Sequence, residues 1–390
     1  MTCVLLAPDK FKGTLTAAEV AGHLRTGLLE VRPDVEVVTV PVADGGDGLL
    51  DAAASVGYRS VELEASGPLG EAAPTRYVVH GTRAVLEMAE VCGLARLGGH
   101  LAPLEATSAG LGEVVAHALD RGAGEIVLGI GGSASTDGGA GLLTALGARL
   151  LDERGGPVPP GGAGLRLLAD VDLSGLHPRL GDVGLVVACD VDNPLTGPTG
   201  AAAVYGPQKG ADPDQVLLLD HALGHLADVV ARRTGQDLRD TPGAGAAGGV
   251  GFAALAVLGA RLRPGVDVVL ELTGFDDALP GCDLVVTGEG SLDEQTLHGK
   301  APAGVAAAAR RAGIPVVAVA GTVLLDADRL ARAGISRAWA IADLASDPDE
   351  SFTRPGPLLV EVGRRIAADH LPSGPAGVPS PSGDLHHPPA

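Results

Sequence analysis

Lysine is scarce in this chain. Of 28 basic residues only four are lysine, namely Lys10, Lys12, Lys209 and Lys300, and the rest are arginine. A chain that writes arginine elsewhere keeps lysine where a compact, mobile ammonium is wanted in place of a planar fork. All four stand in short polar or glycine-bearing motifs: Pro8-Asp9-Lys10-Phe11-Lys12-Gly13, Gly206-Pro207-Gln208-Lys209-Gly210 and His298-Gly299-Lys300-Ala301-Pro302. A point cation beside glycines suits a loop that holds phosphate oxygens. Aromatic residues are only 2%, which excludes rows of base-stacking platforms. Net positive charge is lacking too. At a formal −20 the chain has no general field for nucleic acid or an anionic membrane. The four cysteines, Cys3, Cys92, Cys189 and Cys282, form no C-x-x-C pair, which excludes zinc ribbons and redox dithiols. Isolated in apolar runs, they read as reduced core residues of a cytosolic protein. No G-x-x-x-x-G-K-[ST] motif occurs.

What is present is globular: 390 residues, 46% hydrophobic and 19% charged, long enough for two domains. The start, Met1-Thr2-Cys3-Val4-Leu5-Leu6, lacks a basic n-region and reads as a strand, not a signal peptide. The uncharged stretch Gly243–Ala260 reaches the length of a membrane span, about 17–25 residues, only by counting its glycines. It reads as a glycine loop entering a buried helix.

Strand and helix alternate at both ends. Cys3–Pro8 and Glu36–Val42 read as strands, with helices at Thr16–Val31 and Gly48–Val56. Asp283–Thr287, Pro315–Ala320 and Arg337–Ile341 read as strands near the other end, among helices at Ala303–Ala312, Ala327–Ala333 and Leu358–His370. Neither end alone makes a stable parallel sheet, but together they make one of five strands. The expected fold is therefore α/β. Residues 1–65 and 283–371 form a discontinuous, doubly wound, flavodoxin-like domain with a parallel sheet, and residues 66–282 form an inserted mixed α/β domain. The tail 372–390, rich in Pro, Gly and Ser, is expected to be disordered.

Ligands of open parallel sheets bind at the carboxyl ends of the strands. The segments expected there are Asp9–Gly13, Ala43–Gly48, Gly288–Asp293 and Gly321-Thr322. Their Asp, Glu, Lys and Gly suit magnesium and phosphate. Two glycine patterns imitate other sites. Gly129-Ile130-Gly131-Gly132-Ser133-Ala134 fits a dinucleotide fingerprint, but Asp137 follows where it would crowd a pyrophosphate. Gly243–Val250 fits a protein-kinase glycine loop but has no preceding strand and no companion motifs. Both stay as candidate anion-binding loops. Asp190 and Asp192, at the end of a strand over Leu185–Ala188, form the densest acidic cluster.

Seven motifs then carry a resemblance. APDKFKGTLTA (7–17), PVADGGDG (41–48), GIGGSASTDGGAG (129–141), ACDVDNPLTGP (188–198), YGPQKGA (205–211), PGAGAAGG (242–249) and DLVVTGEGSLDEQTLHGKAP (283–302) resemble the bacterial glycerate kinase family, in family order over residues 3 to about 370. The resemblance implies ATP- and Mg²⁺-dependent phosphorylation of D-glycerate in the cytoplasm, with 2-phosphoglycerate favoured over 3-phosphoglycerate as product. It implies a flavodoxin-like domain with an insertion, small-molecule partners, neither nucleic acid nor membrane, and a monomer or homodimer. By residue type, Lys10, Lys209 and Lys300 are expected on phosphate oxygens, and Asp190 as base for the glycerate hydroxyl. Asp192 and Asp293 are expected on the metal. Asp44, Gly45, Gly46, Gly131, Gly132, Ser133, Gly245, Gly248 and Glu289 are expected around the nucleotide or the substrate carboxylate. Two other readings stay open: a nicotinamide-dependent oxidoreductase of a small hydroxy acid, resting on residues 129–134, and a non-catalytic ligand sensor on the same fold.

Overall fold

The computed structural model describes residues 2–371 apart from 12, 44, 45, 47, 299 and 348, so Lys12, Asp44, Gly45 and the tail lie outside the described residues. The strands in chain order are β1 Cys3–Pro8, β2 Glu36–Thr39, β3 Arg59–Ser66, β4 Ala72–His80, β5 Arg83–Glu87, β6 Glu125–Gly129 and β7 Arg149–Leu151. They continue as β8 Asp170–Asp172, β9 Gly184–Ala188, β10 Arg261–Arg263, β11 Leu284–Leu292, β12 Val316–Val323 and β13 Arg337–Ala340.

The two ends of the chain meet in one parallel sheet, ordered β13-β12-β11-β1-β2. Leu5 of β1 stands in register between Val285 of β11 and Val38 of β2. Helices cover both faces, which is why β1 reads as an unbroken apolar run. Val4 and Leu6 pack with helices Ala17–Val31 and Pro355–His370. On the other face Leu5 and Ala7 share a core with helices Leu49–Ser55, Gly265–Leu272 and Ala301–Arg311. Each fully buried Leu or Val contributes about 1.5–3 kcal/mol. Thr16 starts the first helix as a capping box, its hydroxyl accepting from the Glu19 amide while the Glu19 carboxylate accepts from the Thr16 amide.

The second sheet is mixed and ordered β10-β9-β6-β5-β4-β3. Strands β10 to β5 are parallel and the β5-β4-β3 hairpins antiparallel. Residues 59–65, grouped above with the first domain, pair here as β3. Val78, Val85 and Val127 of this sheet join the core that also holds Leu5, Val266 and Ala53, so helices Leu49–Ser55 and Gly265–Leu272 lie between the two sheets. β7 and β8 form a separate two-stranded ladder. Among the described residues no helix is long and apolar enough to cross a membrane.

One element carries no assignment above, and one expectation changes. Gly265–Leu272 (GVDVVLEL) is a helix whose Val266, Val269 and Leu270 are buried in the core between the two sheets. In addition, β11 and β12 run further than their apolar runs. Glu289 pairs with Ala320 and Ser291 with Thr322, so residues read as post-strand loop are still in the ladder. Glycine permits this: a Cβ on Gly288 would lie 2.1 Å from the Val319 carbonyl oxygen.

The helices from the two chain ends approach closely at Gly27, where a Cβ would meet the Val360 carbonyl oxygen at 1.9 Å. Backbone cannot yield as a side chain does, so Gly27→Ala should destabilise the fold by about 1–3 kcal/mol. Urea denaturation checks this, and an unmoved midpoint would contradict the packing described.

Candidate active site

At the carboxyl ends of β1, β11 and β12 the chain encloses a cavity of about 680 Å³. A second, of about 270 Å³, is lined by the ends of β6 and β9. The two share Gly46, Gly131 and Gly132, so they adjoin across glycine backbone. Among the described residues, Asp9 and Glu289 are the carboxylates of the larger cavity and Asp190 that of the smaller. Lys10 and Lys300 line the larger, Lys209 the smaller. Three of the four lysines thus sit at one continuous site in a chain of charge −20.

Glu289 is buried. Its Oε1 accepts from the Thr296 hydroxyl at 2.5 Å, and its Oε2 faces Lys300 Nζ at 3.4 Å. Burial raises its pKa, while the Thr296 bond and the Lys300 charge oppose the rise. Lys300 stands at the N-cap of helix Ala301–Arg311, which has no side-chain cap. Pro302 has no N–H, and the Ala303 and Gly304 amides donate to the Lys300 carbonyl at 3.1 and 3.2 Å, so Lys300 Nζ is the cationic group this end of the helix brings to the cavity. Lys10 follows β1, with its amide donating to Asp9 Oδ1 at 2.6 Å.

Lys209 lies on a single turn, Pro207–Lys209, ended by Gly210 at φ +96°. It is 2% exposed, and its Nζ donates to Ser133 Oγ at 2.8 Å and to the Ser135 carbonyl at 2.5 Å. Burial pushes its pKa down to about 7, against the pull of the Asp137 carboxylate. Asp137 itself is fully buried and accepts from the amides of Ser108, Gly139 and Gly141 and from the Ser108 hydroxyl. It thereby fixes the start of helix Ala140–Ala145. A dinucleotide fingerprint must open a helix at its glycines. Here residues 130–139 are loop, so the pattern at 129–134 lacks its structural context.

Asp190 lines the smaller cavity, and its Oδ1 also accepts from the Gly265 amide at 2.7 Å. Asp192, two residues on, is exposed and lines neither cavity. The Asp293 carboxylate accepts from the Gln295 amide at 2.8 Å, a local turn bond, and it too lines neither cavity. Ser133 lines the smaller cavity beside Lys209. Gly245 and Gly248 are packing glycines. A Cβ on the first would meet the Pro194 carbonyl oxygen at 2.2 Å, and on the second that of Ser135 at 2.1 Å. Their neighbours Ala246 and Ala247 line the cavity instead. Ala247 has φ +54°, a left-handed conformation costing an L-residue about 1–2 kcal/mol.

Two contributors carry no motif of their own. Glu87, buried at the end of β5, accepts from the amides of Gly48 and Leu49 at 2.5 and 3.3 Å. It ties the 41–48 segment to the second sheet. Phe352 lines the larger cavity from the segment after β13.

Comparison with known proteins agrees with this geometry. Residues 4–371 match the model of the glycerate kinase family. The chain is 44% identical to the glycerate kinase of Bacillus subtilis (strain 168) over 94% of its own length and 97% of that protein's. It is 42% identical to the glycerate 2-kinase of Escherichia coli (strain K12), again over 94% and 97%. A crystal structure of a candidate glycerate kinase 2 from Salmonella typhimurium LT2 superposes with a TM-score of 0.84 at 41% identity, covering 94% of this chain and 97% of that one. A match that spans residues 4–371, and with them both halves of the discontinuous sheet and the segment between, leaves one assignment: the chain belongs to the glycerate kinase family.

Proposed function

We propose that the protein transfers the γ-phosphoryl group of ATP to the 2-hydroxyl of D-glycerate in the cytoplasm, giving ADP and 2-phosphoglycerate. The observation that carries this is the pair of adjoining cavities, a large one with two lysines and a small one with a lysine, a serine and a carboxylate. A nucleoside triphosphate needs the first and a three-carbon acid the second. The family supports glycerate as acceptor, and the name of the E. coli relative supports the 2-position.

Phosphoryl transfer is mostly positioning and charge stabilisation. In this reading the glycerate carboxylate meets Lys209 and Ser133, and Asp190 takes the proton of the attacking hydroxyl. The hydroxyl oxygen bonds to phosphorus as the bridging P–O bond breaks, and ADP leaves with that electron pair. Lys10 and Lys300 meet the phosphate oxygens, with Gly131 and Gly132 at the junction. Magnesium keeps several waters and takes only one or two protein carboxylates. The acidic lining of the larger cavity fits that demand although no set of three ligands gathers among the described residues. Glu289 and Asp9 would hold it in preference to Asp192 or Asp293, and bound magnesium would offset phosphate charge.

D-glycerate-dependent ADP release in a coupled assay tests the reaction. Release without NADH formation is expected, and NADH formation on adding a nicotinamide cofactor would favour the oxidoreductase instead. Lys10→Arg and Lys300→Arg should each fold yet lose at least about tenfold in kcat/KM, roughly 1.4 kcal/mol, because a planar fork does not replace a point charge. Wild-type kinetics in both would reduce the lysine pattern to an accident of composition.

A further inference from the structure

Phe352 is 67% exposed in a chain with only four phenylalanines, and it lines the larger cavity. A single exposed aromatic needs no explanation by itself, but this one forms part of the wall of the cavity that holds Lys10 and Lys300, where its ring face is open to a ligand. Its backbone is held in place. It belongs to the short helix Glu350–Thr353, braced by the Glu350 carboxylate accepting from the Ser346 amide and hydroxyl, each at 2.8 Å.

The strand order shows which end of the cavity this is. Along the carboxyl edge the loops follow the order β13, β12, β11, β1, β2. Phe352 comes from the segment after β13, whereas Gly46, which the smaller cavity shares, comes from the segment after β2. Lys10 and Lys300 flank the cavity between these ends. At about 4.8 Å per strand, β13 and β1 lie about 14 Å apart. A nucleoside triphosphate whose γ-phosphate reaches the junction of the cavities therefore extends its base toward Phe352.

We propose that Phe352 is the stacking platform for the purine base of the nucleotide and so a positioning residue for the donor substrate. This rests on the ATP reading above. Every base offers a π-face, and a single aromatic contact is enough to orient one.

Phe352→Ala and Phe352→Trp, assayed beside wild type, test it. The alanine variant should raise the KM for ATP about tenfold, in line with stacking losses on alanine substitution, while kcat and the KM for glycerate stay within about twofold. The tryptophan variant should restore the ATP KM, and ADP should quench its added fluorescence whereas tripolyphosphate should not. An unchanged ATP KM in Phe352→Ala, or equal quenching by tripolyphosphate, overturns the platform while leaving the kinase reading intact. Absence of ATP turnover in wild type would overturn both.

Discussion

Asp190→Asn should lower kcat about 100-fold or more while leaving the KM for ATP nearly unchanged. Asparagine keeps the volume and an Oδ1 that can still accept from the Gly265 amide, so the loop and helix Gly265–Leu272 should stand as they do now. What it loses is the capacity to accept the proton of the glycerate hydroxyl. General-base help contributes typically 10²–10⁴-fold. In the proposed reading ATP takes the other cavity, so its affinity should not follow. Steady-state kinetics with circular dichroism and a melting curve separate the two effects. A variant with normal kcat would reduce Asp190 to a helix cap, and one with lost kcat and a lowered melting temperature would point to damage at Gly265.

The second large effect belongs to Lys209. Lys209→Met should cut kcat/KM for glycerate about 100-fold, the scale for one charged contact at a desolvated site. The same substitution has a signature in stability. The unfolded-state pKa of lysine is about 10.4, and burial lowers the folded value to about 7. Below pH 7 both states carry the proton, and the fold bears the whole cost of a buried charge. Between pH 7 and about 10.4 the unfolded chain still binds the proton and the native chain does not, so this residue makes stability rise with pH, by at most about 1.4 kcal/mol per unit. Wild-type stability minus that of Lys209→Met should therefore climb from pH 7 to pH 9 in urea denaturation. Parallel curves would mean that the lysine is not desolvated as described. In kinetics, the Lys209 charge that the proposed reading sets against the glycerate carboxylate is present below about pH 7. The kcat/KM for glycerate should then decline as pH rises through that value, while the limb in kcat moves upward because a bound carboxylate holds the proton on.

Much of this arrangement was legible in the residues. The apolar runs at both ends required one another to make a stable sheet, and the discontinuous parallel sheet is present. The glycine-bearing motifs around Lys10, Lys300 and Asp190 reach two adjoining cavities from segments that follow β1, β11 and β9 of two sheets, and Lys209 joins them from the turn Pro207–Lys209. Other features depend on three-dimensional neighbours. Helix Gly265–Leu272 buries its apolar side chains between the two sheets, a position no motif marks. Whether a carboxylate faces a cavity or its own turn is decided by rotamer and register, which spacing does not encode. Asp190 faces a cavity, whereas Asp293 bonds its own turn. Lys209 looked like a loop cation, but it is buried and donates to the Ser133 hydroxyl and the Ser135 carbonyl. Glu87 and Phe352 stand alone in sequence, one in a β-strand and one in a short polar segment; the joining of the two sheets gives Glu87 the Gly48 and Leu49 amides, and the segment after β13 brings Phe352 to the cavity wall.

The central claim is the transfer itself, and ³¹P NMR of a reaction containing the full chain, Mg²⁺, ATP and D-glycerate tests it most directly. The expected spectrum loses the γ- and β-phosphate signals of ATP, gains those of ADP, and gains in equal amount a phosphomonoester coupled to the single proton at C2. Coupling to two C3 protons would move the reaction to the 3-hydroxyl, and a spectrum in which ATP persists unchanged would contradict the account.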